Sequence, residues 1–141
     1  MARAEYEEFA ETLDALDDED MRFEYILDLA KAQEKANFPE EWMTDANLMH
    51  GCMSRVWIVH EPDGEKHIFH GASEAAIVKG LVHMMTRTFS GLTADEIAGF
   101  SVDDVKRLNL GALTFQRQVG MMAMLKHMQK LAGRAPAANE A

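Results

Sequence analysis

The chain predicts an α+β fold, a small antiparallel sheet packed against helices. Three observations carry this. Two stretches with helical apolar spacing come first. A period-2 segment with a turn and a returning segment follows, and longer helical stripes close the chain. The order is helices, hairpin, helices, with no strand–helix alternation of the kind that builds a parallel sheet.

The elements follow in turn. Tyr6, Phe9, Leu13 and Leu16 recur at helical spacing and predict a first helix. Asp17-Asp18-Glu19-Asp20 breaks it and puts carboxylates at the positive end of the next. That second helix presents Phe23, Ile26, Leu27 and Ala30, and fades at Asn37-Phe38-Pro39, because proline disfavours helix in the residue before it. Residues 39–50 read as irregular, with a short strand around Asn47–Met49. Val56, Ile58 and His60 then alternate with Arg55, Trp57 and Val59. Large apolar groups on both faces predict a strand covered on both sides. Glu61-Pro62-Asp63-Gly64 has turn chemistry, and Lys66–His70 reads as the returning strand.

Ser73 is placed to cap a long helix running to about Ser90, with Glu74 in its first turn. Ile77, Leu81, Met84 and Met85 form its stripe, which Val78, Val82 and Phe89 widen into that of a central core helix. Gly91 suits a left-handed cap. Thr93-Ala94-Asp95-Glu96 is a capping box with Leu92 and Ile97 at its staple positions, and Ser101-Val102-Asp103-Asp104 opens another short helix flanked by Phe100 and Val105. A last helix over Thr114–Leu131 buries Met121, Met124, Leu125, Met128 and Leu131. Residues 1–132 are expected to be one domain, and 133–141 a flexible tail.

With 141 residues the chain is long enough for one cored domain and short for two. Its net charge of −10 is uneven. Residues 1–45 hold 15 acids and 4 bases, and the remainder is nearly balanced. Nucleic-acid binding, which needs a basic footprint, is not expected. The acidic third reads as a solvated helical face, with a docking surface for a basic partner as the alternative. No apolar run spans a bilayer and no export signal is apparent, so no membrane role is expected, and one cysteine suits a reducing cytoplasm.

That cysteine, Cys52, lies in His50-Gly51-Cys52-Met53-Ser54-Arg55-Val56-Trp57. A lone thiol is buried filler, a nucleophile, or a point of attachment. Gly51 permits a tight turn, which leaves the sulfur approachable by another protein, and His50 and Arg55 stand near enough in sequence to favour thiolate. Hydrolytic chemistry needs an oriented base. None of the six histidines, His50, His60, His67, His70, His83 and His127, sits in a recognisable catalytic signature. No second cysteine completes a metal shell around His50-x-Cys52, so neither metal nor cofactor is expected. No phosphate-binding glycine motif is present. The eleven methionines fall mostly on core stripes.

The run Gly51-Cys52-Met53-Ser54-Arg55-Val56-Trp57 resembles the G-C-x-S-x-V-W segment of the SufE family, sulfur acceptors that serve cysteine desulfurases in iron–sulfur cluster assembly. Gly71-Ala72-Ser73-Glu74-Ala75-Ala76-Ile77-Val78-Lys79-Gly80-Leu81 is similar to the family's D-S-D-A-x-I-V-K-G-L block, at a fitting distance. Leu113-Thr114-Phe115-Gln116-Arg117-Gln118-Val119-Gly120-Met121 matches L-[ST]-P-S-R-x-N-G-L in part. Ala72 and Glu74 replace the family's aspartates, Phe115 its proline, Gln116 a serine and Val119 an asparagine.

The resemblance implies the fold shared with IscU-type scaffolds. It implies a carrier and not a free-standing enzyme. Cys52 would take persulfide sulfur from a SufS-like cysteine desulfurase, speed that enzyme, and pass sulfur to iron–sulfur scaffold proteins. His50, Gly51 and Ser54 would support the loop. Ser73, Glu74, Lys79 and Arg117 would support the site or bind the partner, and Gly80 would let the long helix pack closely. A purely interacting or regulatory module with a structural Cys52 is the alternative, and a stand-alone cysteine enzyme the third possibility.

Overall fold

The computed structural model describes residues 3–36, 38–51, 54–108 and 114–140, with 134–140 described by backbone alone. Among these residues the fold is α+β. Helices α1 (Ala4–Ala15) and α2 (Glu19–Glu34) precede two 3-10 turns, Glu40–Trp42 and Asp45–Asn47. Strands β1 (Leu48–Met49), β2 (Val56–Asp63) and β3 (Lys66–Ser73) follow. Then come α3 (Ala76–Phe89), β4 (Leu92–Thr93), α4 (Ala94–Ala98), α5 (Val102–Arg107) and α6 (Phe115–Glu140). The strands form one antiparallel sheet in the order β1-β2-β3-β4. No helix among the described residues is long and apolar enough to cross a membrane.

The apolar stripes become the core. Tyr6, Phe9 and Leu13 of α1 are buried, as are Ile26 and Ala30 of α2. Helix α3 is its centre: ten of its fourteen residues are buried, on more than one face. Its neighbours come close enough to require glycine. A Cβ at Gly80 would lie 2.1 Å from the Ile26 carbonyl oxygen of α2, and one at Gly71 of β3 would lie 2.5 Å from Val82 Cγ1 of α3. Val56, Trp57 and Ile58 are consecutive and all buried, so β2 is covered on both faces at that end. The acids of α1 and α2 face solvent, yet several tie the helices to the rest. Glu5 pairs with Arg87 at 3.0 Å, and Arg107 reaches Glu7 at 3.2 Å and Asp14 at 3.0 Å.

Four expectations change. Pro62 and Asp63 do not turn the chain. They continue β2, paired with His67 and Lys66, and the reversal is the two-residue Gly64-Glu65 loop, with Gly64 at φ +62°. Strand β1 pairs only with Val56 and Trp57, so β2 is an edge at Pro62, where a missing N–H is tolerated. Ser73 does not cap α3. It ends β3, and the N-cap is Ala75, without a side-chain cap. The Ser73 hydroxyl instead donates to the Arg55 carbonyl at 2.8 Å. Leu92 and Thr93 form a fourth strand on Lys66 and His67. Its approach is set by Gly91, at φ +86°, whose N–H donates to the His67 carbonyl at 2.7 Å. Finally, α6 continues past Leu131 to Glu140, and Leu131 is only half-buried. The expected capping box is present at Thr93/Glu96, and the short helix expected from Ser101 also opens on one, Ser101/Asp104.

Beyond β4, the free edge of β3 is closed by side chains. Ser90 Oγ accepts from the Phe69 N–H at 3.0 Å, and Gln33 donates to the Gly71 carbonyl. On the same hairpin, His60 Nε2 and His67 Nδ1 are 2.7 Å apart with stacked rings. Burial pushes the pKa of His60, His67 and His83 down, and the proximity of His67 lowers His60 further. In the unfolded chain each would take a proton near about pH 6.5. Below that pH the unfolded state therefore binds more protons than the folded one, and stability falls with pH. The contribution is complete above about pH 6.5 and is lost towards the lower folded-state values. The thermal midpoint should drop between about pH 7 and about pH 5, by more than in a His60→Gln/His67→Gln variant. An equal drop in both would contradict this assignment.

Candidate functional site

Cys52 and Met53 lie outside the described residues, so the site is defined by what flanks them. On one side, His50 and Gly51 are exposed. Gly51 has φ +103°, a left-handed conformation that glycine adopts without strain. A Cβ there would lie 2.9 Å from Ala123 Cβ, so the segment entering Cys52 runs directly against α6. On the other side, half-buried Ser54 opens into a cavity of about 190 Å³. Val78 and Leu81 of α3 line it, with Thr114, Gln116, Arg117, Gly120 and Met124 at the start of α6. Among the described residues this wall holds no histidine and no carboxylate.

Arg117 is half-buried in that wall. Its backbone N–H donates to Thr114 Oγ1 at 3.3 Å, in the pattern that starts a helix, and among the described residues its guanidinium has no carboxylate partner. It thus stands as a positive charge in the cavity that Ser54 shares.

Arg55 leaves the loop in another direction. Its guanidinium makes a two-pronged pair with Glu74, Nε to Oε1 at 2.8 Å and Nη2 to Oε2 at 2.6 Å, and lies over the Trp57 ring at 5.1 Å. This pairing holds the Glu74 carboxyl below its usual range and the Arg55 guanidinium above its own. With the Ser73–Arg55 hydrogen bond, it fastens the start of β2 to the end of β3. Both side chains are more than half exposed, so the pair fixes geometry more than it adds stability.

The structure therefore divides the residues singled out from sequence. Ser54 and Arg117 share one cavity wall. Ser73 and Glu74 both hydrogen-bond Arg55, the first at its carbonyl and the second at its guanidinium. Lys79 is turned elsewhere, paired with Glu34 of α2 at 3.1 Å. It lines a separate recess of about 240 Å³ with Ser73, Ala72 and Phe38. Ala72 faces Trp57 across the strands. Sequence reasoning missed Arg55 as the partner of Glu74, and it missed the exposure of Phe115 and Val119, at 78% and 43%. A helical wheel contains the second signal, since both lie opposite the buried Met121, Met124, Leu125 and Met128.

Comparison with known proteins gives a consistent result. The family profile described as "SufE: Fe-S metabolism associated domain" matches residues 7–132. An uncharacterized SufE-like protein of Rhizobium etli is 35% identical over 121 residues, covering 82% of this chain and 80% of that one. One of Rhizobium meliloti is 34% identical over 129 residues, covering 86% and 91%. One of Synechocystis is 34% identical over 109 residues, covering 77% and 67%. The solution structure of a hypothetical protein from Thermus thermophilus superposes with a TM-score of 0.76 over 97% of this chain and 99% of that one. At 17% identity it bears on the fold alone.

Proposed function

The chain belongs to the SufE family of domains associated with Fe–S metabolism, and on that premise we propose that Cys52 is a sulfur acceptor serving a cysteine desulfurase. The carrying observation is the setting of residue 52. Before it in the chain, Gly51 is exposed and packed on α6; after it, Ser54 opens into a cavity whose wall, among the described residues, holds a cation and no histidine or carboxylate. Nucleophilic hydrolysis needs a base beside the thiol. Thiol exchange needs only thiolate and access.

The step balances without an oxidant. The Cys52 thiolate attacks the terminal sulfur of the persulfide on the desulfurase cysteine. The sulfur–sulfur bond to the donor breaks as the bond to Cys52 forms. The donor cysteine leaves as a thiolate and takes up the proton that Cys52 gave up. Sulfane sulfur is relocated, and neither protein is oxidised or reduced overall. Arg117, a cation in the cavity beside Ser54, favours anionic sulfur there. The Arg55–Glu74 pair and the Ser73 hydrogen bond anchor the chain three residues after the thiol. His50 and Gly51 supply the exposed approach. A thiolate of a scaffold protein that assembles iron–sulfur clusters then attacks the outer sulfur of the Cys52 persulfide, taking that sulfur as the Cys52 thiolate leaves. Removing the persulfide from the desulfurase frees that enzyme for its next turnover.

The test is to incubate the protein with the cysteine desulfurase of its own organism and L-cysteine, then measure its intact mass. A gain of one sulfur atom, reversed by a reducing thiol and located to the Cys52 peptide, is expected. An unchanged mass, with the desulfurase active throughout, would overturn the reading.

A further inference from the structure

We propose that the outward face of α6 is the surface on which the persulfide-donating desulfurase docks, with Phe115 and Val119 as apolar anchors and Lys126 and Lys130 as a cationic border. The inference rests on the sulfur-acceptor reading above, and names what that reading leaves open: how the donor is recognised.

Geometry comes first. Phe115, Val119, Ala123, Lys126 and Lys130 fall at i, i+4, i+8, i+11 and i+15, which places them on one side of a helix. The opposite side is the one buried through Met121, Met124, Leu125 and Met128. Ala123 is the residue that Gly51 packs against, so this face runs directly past the segment entering Cys52. At the helical rise, Val119 is about 6 Å and Phe115 about 12 Å from Ala123 along the axis. A transfer that makes a covalent bond at Cys52 brings the donor's surface onto its immediate surroundings. A stable contact covers about 800 Å² per partner, a patch of about 16 Å radius. Phe115 and Val119 fall inside such a patch.

Exposure and charge point the same way. Phe115 and Val119 are the most exposed large apolar residues of α6, and aromatic side chains left in water near a reaction site are typical contact anchors. The chain carries −10 overall, yet residues 46–60 and 114–133 contain Arg55, Arg117, Lys126 and Lys130 and no aspartate or glutamate. Glu74 pairs with Arg55, which leaves Arg117, Lys126 and Lys130 as the other charges these two segments contribute. Lys126 and Lys130 are exposed. The complementary surface is an apolar hollow bordered by carboxylates. A desulfurase presenting its persulfide from such a hollow would be steered onto α6, and away from the acidic α1–α2 face.

The experiment measures sulfur transfer from the desulfurase against acceptor concentration, for wild type, Phe115→Ser/Val119→Ser and Lys126→Glu/Lys130→Glu. Alkylation of Cys52 by iodoacetamide is followed in parallel. The apolar double variant should raise the KM for acceptor roughly tenfold or more, with the maximal rate and the alkylation rate near wild type. The charge variant should also raise KM and lose the salt sensitivity expected of wild type. A wild-type KM in the serine variant overturns the docking surface while leaving sulfur acceptance intact. Slower alkylation accompanying the loss overturns it too, since the residues would then be setting the thiol and not binding the donor. A dimer in sedimentation that the serine variant abolishes, with KM unchanged, assigns the face to self-association instead. No sulfur on wild-type Cys52 overturns the sulfur-acceptor reading, and this inference with it.

Discussion

Cys52→Ser is expected to abolish both the sulfur adduct and the acceleration of desulfurase turnover. The two proteins should still associate. The substitution exchanges one atom, so lost function is attributable to chemistry. A serine hydroxyl is not ionised near neutral pH, whereas a thiol with a free-chain pKa of about 8.5 is ionised to a few per cent, and more beside cations. The variant is the chain's only change in sulfur nucleophiles, because there is no second cysteine to take over. The measurement is alanine or sulfide release by the desulfurase with and without each protein, beside a binding isotherm. A regulatory module with a structural Cys52 would give another result: no adduct in either protein, but full acceleration by the serine variant. Retained acceleration by Cys52→Ser therefore contradicts the carrier mechanism.

The largest expected effect on stability is that of Gly80→Ala. Alanine for glycine inside a helix ordinarily stabilises by about 1 kcal/mol. Here the new Cβ would stand 2.1 Å from the Ile26 carbonyl oxygen and 2.9 Å from its carbonyl carbon. Those are backbone atoms, so no rotamer change relieves the overlap, and α2 must be pushed off α3. Overpacking of this kind costs about 3 kcal/mol or more, which outweighs the gain in propensity. At this chain length the thermal midpoint should fall by roughly 10 °C. Gly133→Ala in α6 is the control. Nothing lies within 4 Å of its Cβ position, so the same change should leave the midpoint unchanged or raise it slightly. A Gly80→Ala midpoint at or above wild type would mean that α2 and α3 yield at this contact.

Where sequence reasoning succeeded, the signal was local. The capping box at Thr93 and the helix start at Ser101 each close within four residues, and both form. The stripes of α1, α2, α3 and α6 each need only one apolar face, and the core follows them. The hairpin also follows from alternation. Its turn was misplaced because Pro62-Asp63-Gly64 satisfies turn chemistry equally well one step later in the ladder. What decides the register is β1, which stops at Trp57 and leaves Pro62 on an open edge. Ser73 shows the same limit. A serine before an apolar run is a capping signal, but its hydroxyl found the Arg55 carbonyl, and Arg55 in turn took Glu74 out of the helix's first turn. Strand β4 has two residues and no periodicity to read. It exists because His67 and Lys66 offer it an edge.

The sequence by itself determined that one thiol is available, that it follows a glycine and precedes a strand buried on both faces, and that three blocks of residues resemble a sulfur-acceptor family. Only the tertiary structure decided that Ser54 and Arg117 share one cavity, that Lys79 pairs with Glu34, and that Phe115 and Val119 look outward on the helix that Gly51 packs against. The physical reason is the range of each interaction. Helix spacing, caps and turns are settled among residues a few positions apart. A side chain's partner across the molecule depends on which elements the core brings together.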